Sequence, residues 1–400
     1  MFPSRALTKR NMAKLLFVVQ QYAPEIGGLA TSGTRISGAL AGLGHEIHVV
    51  ALSSELDSGE AESQQTASNL FVHRFGRSKQ IDFTLQQLSI FYQWLHEKHR
   101  FDAVWGHYAW QMGFSAIWFA KTNELPSVLS LRGNDVDRQL FPPGDFSRLS
   151  WMLENATELV SVSKDLAEKV KTINGRSATV LYNAVDSKLF CPSDGPSWDA
   201  RRVELRKELG VAPEELLLVF SGELRAKKGL PILMETFRQI AAKRPARLLI
   251  LGGVRDKERA EFKRCSAGVP AEMLIRTGHI SDPALVVDYL RAGDLFLLPS
   301  LWEGLPNSLL EAFAVGIPVI ASDAGAIPEV MVNGKHGVVI PRSQLHMMAD
   351  RADRFLARPA VERNAMTDAA RNLIVEKFSP EIEREQLAEI VERIVKAERR

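Results

Sequence analysis

The chain has 400 residues, more than one hydrophobic core usually supports, so two domains are expected. Its formal net charge of +2 gives no support to nucleic acid as the main partner, and 46% hydrophobic residues describe an ordinary globular protein. Cys191 and Cys265 form no CxxC pattern, which suits a reducing compartment and offers no zinc site.

The first residues, 1–14, are basic and lack the apolar core of a signal peptide. We expect a disordered leader or an upstream start, with Met12 as the alternative initiator. The uncharged run 103–120 contains Gly106, His107 and Gln111, so a buried strand, a polar loop and a helix fit it better than a membrane span. We therefore expect a cytoplasmic protein. Peripheral contact with the inner face of a membrane stays open, although no basic amphipathic face supports it.

The first half of the chain alternates apolar strands with helices. It begins with a strand at 14–20, the pair Gly27-Gly28, a helix at about 32–44 and a strand at 46–52. Further strands are predicted at 102–105, 126–131, 159–163 and 179–181, and helices at 83–98, 114–121 and 164–173. This alternation predicts a parallel sheet, whose ligands bind at the carboxyl ends of the strands.

A segment rich in proline, glycine and serine, 186–201, is the best linker candidate, and the pattern restarts after it. Strands are predicted at 215–220, 246–251, 273–276, 295–298 and 318–321, and helices at 230–241 and 286–292. A second doubly wound domain is the economical interpretation. We place the domains at 1–191 and 192–378, followed by a charged C-terminal helix within 379–400.

The segment 299–312 has the composition of a ligand site. It carries Glu303 in a loop after an apolar strand and Glu311 one turn inside the following helix. Asn307 or Ser308 can cap that helix, whose N–H groups and dipole would bind an anion such as a diphosphate. The alternative is two ordinary solvated glutamates, because two acidic residues at a fixed spacing are common.

A basic loop follows the strand at 215–220 and holds Arg225, Lys227 and Lys228 just before a helix. Alone, such a loop is usually a solvated surface. With a second anion site on the same sheet edge, it favours binding of a diphosphate leaving group, whose charge grows as its bond breaks. Gly27-Gly28 is consistent with either a turn or a close backbone approach to phosphate or sugar.

Polar residues also end two strands of the first half. His107 follows one strand, where a lone histidine is more often structural than catalytic. The segment 132–135 follows another, and its Asp135 could orient an acceptor hydroxyl or help to cap the next helix. The aromatic residues near His107 could form a sugar-stacking wall or pack in the core: Trp105, Tyr108 and Trp110.

Residues 300–323 follow the pattern Ser-x-x-Glu-Gly-x-Pro-x-x-x-x-Glu-Ala-x-Ala-x-Gly-x-Pro-Val-Ile-Ala-Ser-Asp. Further motifs lie at 24–28, 44–46, 182–186 and 222–229. In these motifs and their order, the chain resembles the retaining family 4 glycosyltransferases over nearly its whole length. The resemblance implies the GT-B fold, with two facing Rossmann-like domains and a nucleotide-sugar cleft between them. It also suggests that the C-terminal helix crosses back to the first domain.

The resemblance implies a donor site made mainly by the second domain. Glu311 would bind the nucleotide ribose, and Glu303 would lie near the donor sugar. We expect Glu311 to govern nucleotide affinity and Glu303 to affect turnover more. The distal phosphate would be held by Asn307, Ser308, the Leu309 backbone, Lys228 and a neighbouring arginine.

Other roles follow from the same resemblance. Gly28 would approach the phosphate from the first domain, and Gly278 with His279 would frame the base. His107 would face the sugar. The acceptor candidates are Tyr108, Arg132, Asn134 and Asp135.

The chain departs from the family pattern at Glu223. Relatives usually carry arginine directly after Gly222, and a carboxylate cannot hold a diphosphate. We expect Arg225 to take over that role. Ala184 stands where glycine is usual, a milder change that concerns turn geometry.

The implied activity is sugar transfer with retention, from a UDP- or GDP-linked donor to a hydroxyl of a saccharide, lipid-linked or small-molecule acceptor. The departing phosphate would help to remove the acceptor proton in a same-face substitution.

The catalytic candidates are His107, Arg225, Lys228 and Glu303. No cofactor or metal is expected, because fixed cations replace it and no DxD run lies near the donor motif. The alternatives are an epimerase or a phosphorylase on the same architecture, or a catalytically silent subunit that binds sugar nucleotides.

Overall fold

A computed structural model describes residues 12–192 and 196–397. Most of the expected N-terminal leader, residues 1–11, and part of the expected linker, residues 193–195, lie outside the described residues. The chain divides into two compact units: one extends to Asn183 and includes the segment from Glu381 onward, and the other spans Ala184–Pro380. Across the described ranges, no helix combines the length and apolar character needed to cross a membrane.

The first unit contains one mainly parallel sheet. Its strands are Lys14–Val19 (β1), Glu46–Ser53 (β2), Ala61–Ala67 (β3), Leu70–Gly76 (β4), Ala103–His107 (β5), Ser127–Leu131 (β6), Glu158–Ser161 (β7) and Thr179–Val180 (β8). The strand order is β3-β4-β2-β1-β5-β6-β7-β8, and only β3 runs antiparallel to its neighbour. The chain therefore builds outward in both directions from the adjacent pair β1 and β5, which is the topological switch point of the sheet.

Helices cover both faces of this sheet because its buried strands are apolar on both sides. The helices are Gly28–Gly42 (α1), Ile81–His99 (α2), Gln111–Thr122 (α3), Asn134–Gln139 (α4), Pro143–Asn155 (α5) and Lys164–Asn174 (α6). Phe17 packs in one core with residues of α1, whereas the adjacent Leu16 and Val18 pack in the opposite core with residues of α2 and α3. This alternation follows from the two-residue period of a strand.

The second unit contains a fully parallel sheet. Its strands are Leu216–Ser221 (β9), Ala246–Leu251 (β10), Leu274–Gly278 (β11), Leu295–Leu298 (β12), Val319–Ser322 (β13) and Val338–Ile340 (β14). The strand order is β11-β10-β9-β12-β13-β14, so the switch point lies between β9 and β12. The prediction of two parallel-sheet α/β domains is confirmed.

The remaining helices complete the second unit and end the chain. They are Pro196–Glu208 (α7), Leu230–Ala241 (α8), Arg259–Cys265 (α9), Pro283–Ala292 (α10), Asn307–Val315 (α11), Ile327–Val330 (α12), Met348–Leu356 (α13), Ala360–Lys377 (α14) and Pro380–Ala397 (α15). Because α7 begins at Pro196, the last part of the expected linker is helical.

The C-terminal helix α15 packs within the first unit. Its residues Leu387, Ile390, Val391 and Ile394 recur at helical spacing and are buried in the core cluster that contains Phe17. Near the start of the helix, the Glu383 carboxylate accepts hydrogen bonds from Arg35 Nε and from Arg35 Nη2, both at 2.8 Å. Arg393 pairs with Glu158 at 2.7 Å. Apolar burial and two ion pairs thus fix this helix on the first unit.

Candidate functional site

The two charged motifs of the second unit meet at its switch point. Lys228 follows β9, Glu303 follows β12, and the Lys228 ammonium donates to the Glu303 carboxylate at 2.6 Å. Ser300 Oγ donates to the same carboxylate oxygen, also at 2.6 Å. The Glu303 side chain is only 6% exposed. Glu303 is therefore a buried, oriented carboxylate and not a solvated one.

The backbone also joins the two loops. Lys227 O accepts the Leu301 N–H at 2.8 Å. Gly229 has a φ of +74°, and a Cβ at this position would lie 2.0 Å from Pro299 O. No larger residue fits there without moving one loop. The basic loop and the glutamate loop thus form one interlocked structure at the carboxyl ends of β9 and β12.

Charges in this structure shift two pKa values. Burial raises the pKa of Glu303, but the ammonium groups of Lys228 and Lys227 outweigh it and hold the pKa below its usual value. Burial lowers the pKa of Lys227 to about 8. Glu303 raises this pKa, but burial and the nearby positive charges of Lys228 and Arg225 together outweigh that effect. The loop therefore carries more cationic charge than Glu303 alone balances, which suits an anionic ligand.

The helix after Glu303 begins differently from the prediction. Helix α11 has Pro306 as its N-cap residue and no side-chain capping bond, so the expectation that Asn307 or Ser308 caps it is wrong. Proline fixes the extended backbone at this position, and Asn307 already belongs to the helix. Within the described chain, the buried Asn307 Oδ1 has no hydrogen-bond partner. Glu311 is half-buried one turn further on, and Leu309 is fully buried.

The substituted position Glu223 binds two arginines. Its carboxylate lies 2.6 Å from Arg255 Nε and 3.5 Å from Arg225 Nε. Gly222, just before it, has a φ of +135°, and its carbonyl oxygen would lie 2.2 Å from a Cβ on Gly252. Glu223 therefore forms ion pairs with both arginines in the strand-end loop.

A cavity of about 460 Å³ lies beside the end of β11 in the second unit. His279, Ile280 and Tyr289 are among its lining residues. Gly278 has a φ of +68°, and no heavy atom lies within 4 Å of the position that a Cβ would take. The turn Gly278-His279 thus leaves open space next to the cavity.

In the first unit, His107 lies at the switch point between β1 and β5. Its side chain is 0% exposed, and its Nε2 lies 2.8 Å from Ser32 Oγ of α1. Burial, with Arg132 and Arg35 nearby, lowers the pKa of His107 well below its usual value, so the ring is neutral at pH 7. Helix α1 begins at Gly28, after Gly27 with a φ of +140° and no side-chain capping bond.

The polar segment 132–135 connects β6 to the start of α4. The Asp135 carboxylate is 0% exposed and accepts backbone N–H bonds from Ala109 at 3.0 Å, Gly133 at 2.8 Å and Arg132 at 3.0 Å. This arrangement ties the loop after β5 to the loop after β6. Asp135 therefore joins these two loops by accepting hydrogen bonds. Burial raises the pKa of its carboxyl, although these hydrogen bonds act to lower it.

Tyr108 adopts a backbone conformation that is rare for a non-glycine residue, with a φ of +86°. Its carbonyl oxygen lies 2.3 Å from the position that a Cβ on Gly113 would take, so the loop packs tightly against α3. Such strain often accompanies a functional loop. Trp105, by contrast, is 0% exposed and stacks on Phe17 at 6.0 Å, so it belongs to the core and not to a sugar-stacking wall.

Sequence reasoning missed several residues that position these groups. Ser32 orients His107, Ser300 orients Glu303, and Arg35 pairs with Glu383. Arg35 and Glu383 are 348 positions apart, so no local pattern could have linked them. Ser300 was within reach of the sequence, because it opens the motif that contains Glu303.

Comparisons with known proteins agree along the chain. Residues 26–189 match the family model described as "Glycosyltransferase Family 4", and residues 201–373 match "Glycosyl transferases group 1". N-acetyl-alpha-D-glucosaminyl L-malate synthase of Bacillus anthracis is 25% identical over 90% of this chain and 92% of its own length. A GDP-mannose-dependent monoacylated alpha-(1-6)-phosphatidylinositol monomannoside mannosyltransferase of Corynebacterium glutamicum is 25% identical over 95% and 98%. The solved structure of Anabaena HepE in complex with UDP-glucose has a TM-score of 0.77 at 17% identity, covering 95% of this chain and 99% of that one.

Proposed function

This chain belongs to the family 4 glycosyltransferases and has their GT-B fold, and from that premise we propose a retaining transfer from a UDP- or GDP-linked sugar to an acceptor hydroxyl. The observation that carries the proposal is the interlocked pair of loops around Lys228 and Glu303. A buried carboxylate beside surplus cations suits a ligand that combines sugar hydroxyls with a diphosphate. The acceptor is proposed as a saccharide, a lipid-linked sugar or a small molecule.

The donor roles are assigned as follows. Lys228 and Arg225 bind the diphosphate, and Gly222 lets the backbone approach it. The helix start at Asn307, Ser308 and the Leu309 N–H binds the distal phosphate through the dipole of α11. The absence of a side-chain cap on this helix supports that role, since its first N–H groups need acceptors.

The sugar and the nucleoside involve other residues. Glu311 binds the ribose, Glu303 accepts hydrogen bonds from the donor sugar, and Gly278 with His279 frames the base. The cavity beside His279 supports the last assignment. By the same resemblance, Gly28 is proposed to approach the phosphate and His107 to accept from a hydroxyl of the donor sugar through its unpaired Nδ1.

The donor classes come from the relatives. HepE was solved with UDP-glucose, and the Corynebacterium relative uses GDP-mannose. For retention, the leaving phosphate accepts the acceptor proton on the face from which it departs, while Lys228 and Arg225 stabilise its growing charge. Fixed cations take the place of a metal, so the reaction is proposed to need neither metal nor cofactor.

A thermal-shift screen of nucleoside diphosphates and their sugars tests the proposal. A ligand at one hundred times its Kd stabilises the folded state by about 2.7 kcal/mol, which raises the melting temperature. We expect one base series to give this shift and Lys228→Ala to lose it. Calorimetry should show that Arg225→Ala raises the donor Kd at least tenfold, about 1.4 kcal/mol. No shift with any nucleotide would contradict the proposed function, and an unchanged Kd would remove Arg225 from it.

A further inference from the structure

Polar atoms without a hydrogen-bond partner gather on one face of the first unit's sheet. Among the described residues they include His107 Nδ1, Ser130 Oγ and Arg132 Nη1, all buried. His107 and Ser130 are register neighbours on β5 and β6, and Arg132 follows Ser130 by two positions. As paired strand residues, His107 and Ser130 point to the same face, and the Arg132 guanidinium lies near enough to the His107 ring to lower its pKa. Native folds rarely leave such groups unpaired, so this face needs a ligand or water.

Arg132 is half-buried, and its guanidinium contacts no carboxylate of the residues that the structure describes. Its Nη2 donates to the amide oxygen of Asn183, which also accepts from Arg35 Nη2 at 3.1 Å. Arg35 is balanced by Glu383, but the Arg132 guanidinium forms no ion pair with any residue that the structure describes. Two guanidinium groups therefore converge on one neutral amide, with a single directly paired carboxylate between them.

The electrostatics of this cluster disfavour an unliganded Arg132. Burial lowers the pKa of Arg132 to about 10; the adjacent Arg35 also lowers it, whereas Glu383 and Asp135 raise it. An arginine normally remains protonated in proteins, so the cost falls on the charged form that is present at pH 7. An anion beside Nη1 would reduce that cost.

The hydrogen-bond network defines what His107 can offer. Ser32 Oγ donates its one proton to Leu29 O at 3.1 Å. Ser32 Oγ then accepts from His107 Nε2–H at 2.8 Å, which leaves Nδ1 of the neutral ring as an acceptor. This face thus combines donors for an anionic oxygen with one acceptor for a hydroxyl.

We propose that this face binds an acceptor that carries an anionic oxygen group, a carboxylate or a phosphate. Arg132 Nη1 and Ser130 Oγ donate to the anionic oxygens of the acceptor, and His107 Nδ1 beside them remains the hydrogen-bond acceptor assigned to the donor sugar. The inference rests on the proposed glycosyltransferase function, because it assigns the ligand to the acceptor. The donor diphosphate has its own cations in the second unit.

The test uses the full chain with inorganic phosphate and malonate as probes, titrated by calorimetry in the presence of a saturating nucleoside diphosphate that occupies the donor site. We expect at least one probe to bind, and Arg132→Gln to weaken that binding at least tenfold. Preference for phosphate or malonate distinguishes the two anionic groups. Arg138→Gln is the matched control, because Arg138 lies nearby in α4 but stacks on the Trp110 ring at 4.9 Å. It removes the same charge and should bind both probes as the parent does.

Two further variants keep the result interpretable. Arg132→Lys should retain part of the affinity, and Ser130→Ala should weaken it with little effect on folding, so a folding defect in Arg132→Gln would not hide the answer. Binding of neither probe, or equal binding by the parent and both Arg132 variants, would overturn the proposal and leave water as the occupant of this face. If the proposed function is wrong, nucleoside diphosphates fail to bind, whereas Arg132-dependent anion binding is measured separately without nucleotide.

Discussion

Replacing Gly229 by alanine tests the interlocked loops most directly. A methyl group there would lie 2.0 Å from Pro299 O and 2.8 Å from Pro299 C, where an ordinary contact needs more than 3 Å. The residue also has a φ of +74°, which costs an L-residue about 1 kcal/mol or more. Relief requires one loop to move by about 1 Å, and forcing such a shift in a packed region typically costs a further 1–3 kcal/mol.

The expected total loss of stability for Gly229→Ala is about 2–4 kcal/mol. The displaced loop carries Lys228 away from Glu303, so we also expect the nucleoside diphosphate Kd to rise at least tenfold. Urea denaturation measures the first effect and calorimetry the second.

Gly268→Ala is the matched control for this prediction. Gly268 has nearly the same backbone, with a φ of +78°, but no heavy atom lies within 4 Å of its Cβ position. It should lose only the conformational cost of about 1 kcal/mol and bind nucleotide normally. If the two variants lose equal stability and both keep their nucleotide affinity, the contact with Pro299 does not hold the donor loops together.

Three further predictions concern charge. Burial lowers the pKa of Lys227 to about 8, so nucleotide affinity should fall as pH rises through about 8. In calorimetric titrations, Lys227→Arg should keep the affinity constant to pH 9.5. If the parent and the variant show the same dependence of affinity on pH, Lys227 takes no part in binding. Glu303→Gln should lower turnover more than tenfold with a small change in donor Kd, whereas Glu311→Gln should mainly raise that Kd; steady-state kinetics with the reverse split would refute these roles. Burial also lowers the pKa of His48 to about 4, below the 6.5 of an unfolded histidine, so the native state binds fewer protons and loses stability as pH falls from 6.5 towards 4. The loss is at most about 3 kcal/mol, and His48→Phe should flatten the fall in melting temperature whereas the exposed His346→Phe should not.

Much of the fold could be predicted because it depends on local periodicity. The strands Ala246–Leu251 and Leu295–Leu298 and the helix Leu230–Ala241 have the predicted bounds. The antiparallel strand Ala61–Ala67 was missed because it is polar and fully exposed, and backbone pairing with Leu70–Gly76 holds it. Apolar runs indicate elements that bury a face, and they give no signal for a strand at a solvated edge.

The candidate site divides in the same way. The sequence alone determined which motifs follow which strands, and since parallel strands end at one edge, it could predict that Lys228 and Glu303 lie near each other. Only the tertiary structure decided the partners: Ser32 forms a hydrogen bond with His107, and Glu383 forms an ion pair with Arg35. It also decided which buried polar atoms around Arg132 have no hydrogen-bond partner. These contacts join residues that are 75 to 348 positions apart. Periodicity assigns a residue to a face, but strand order and helix packing select its neighbour.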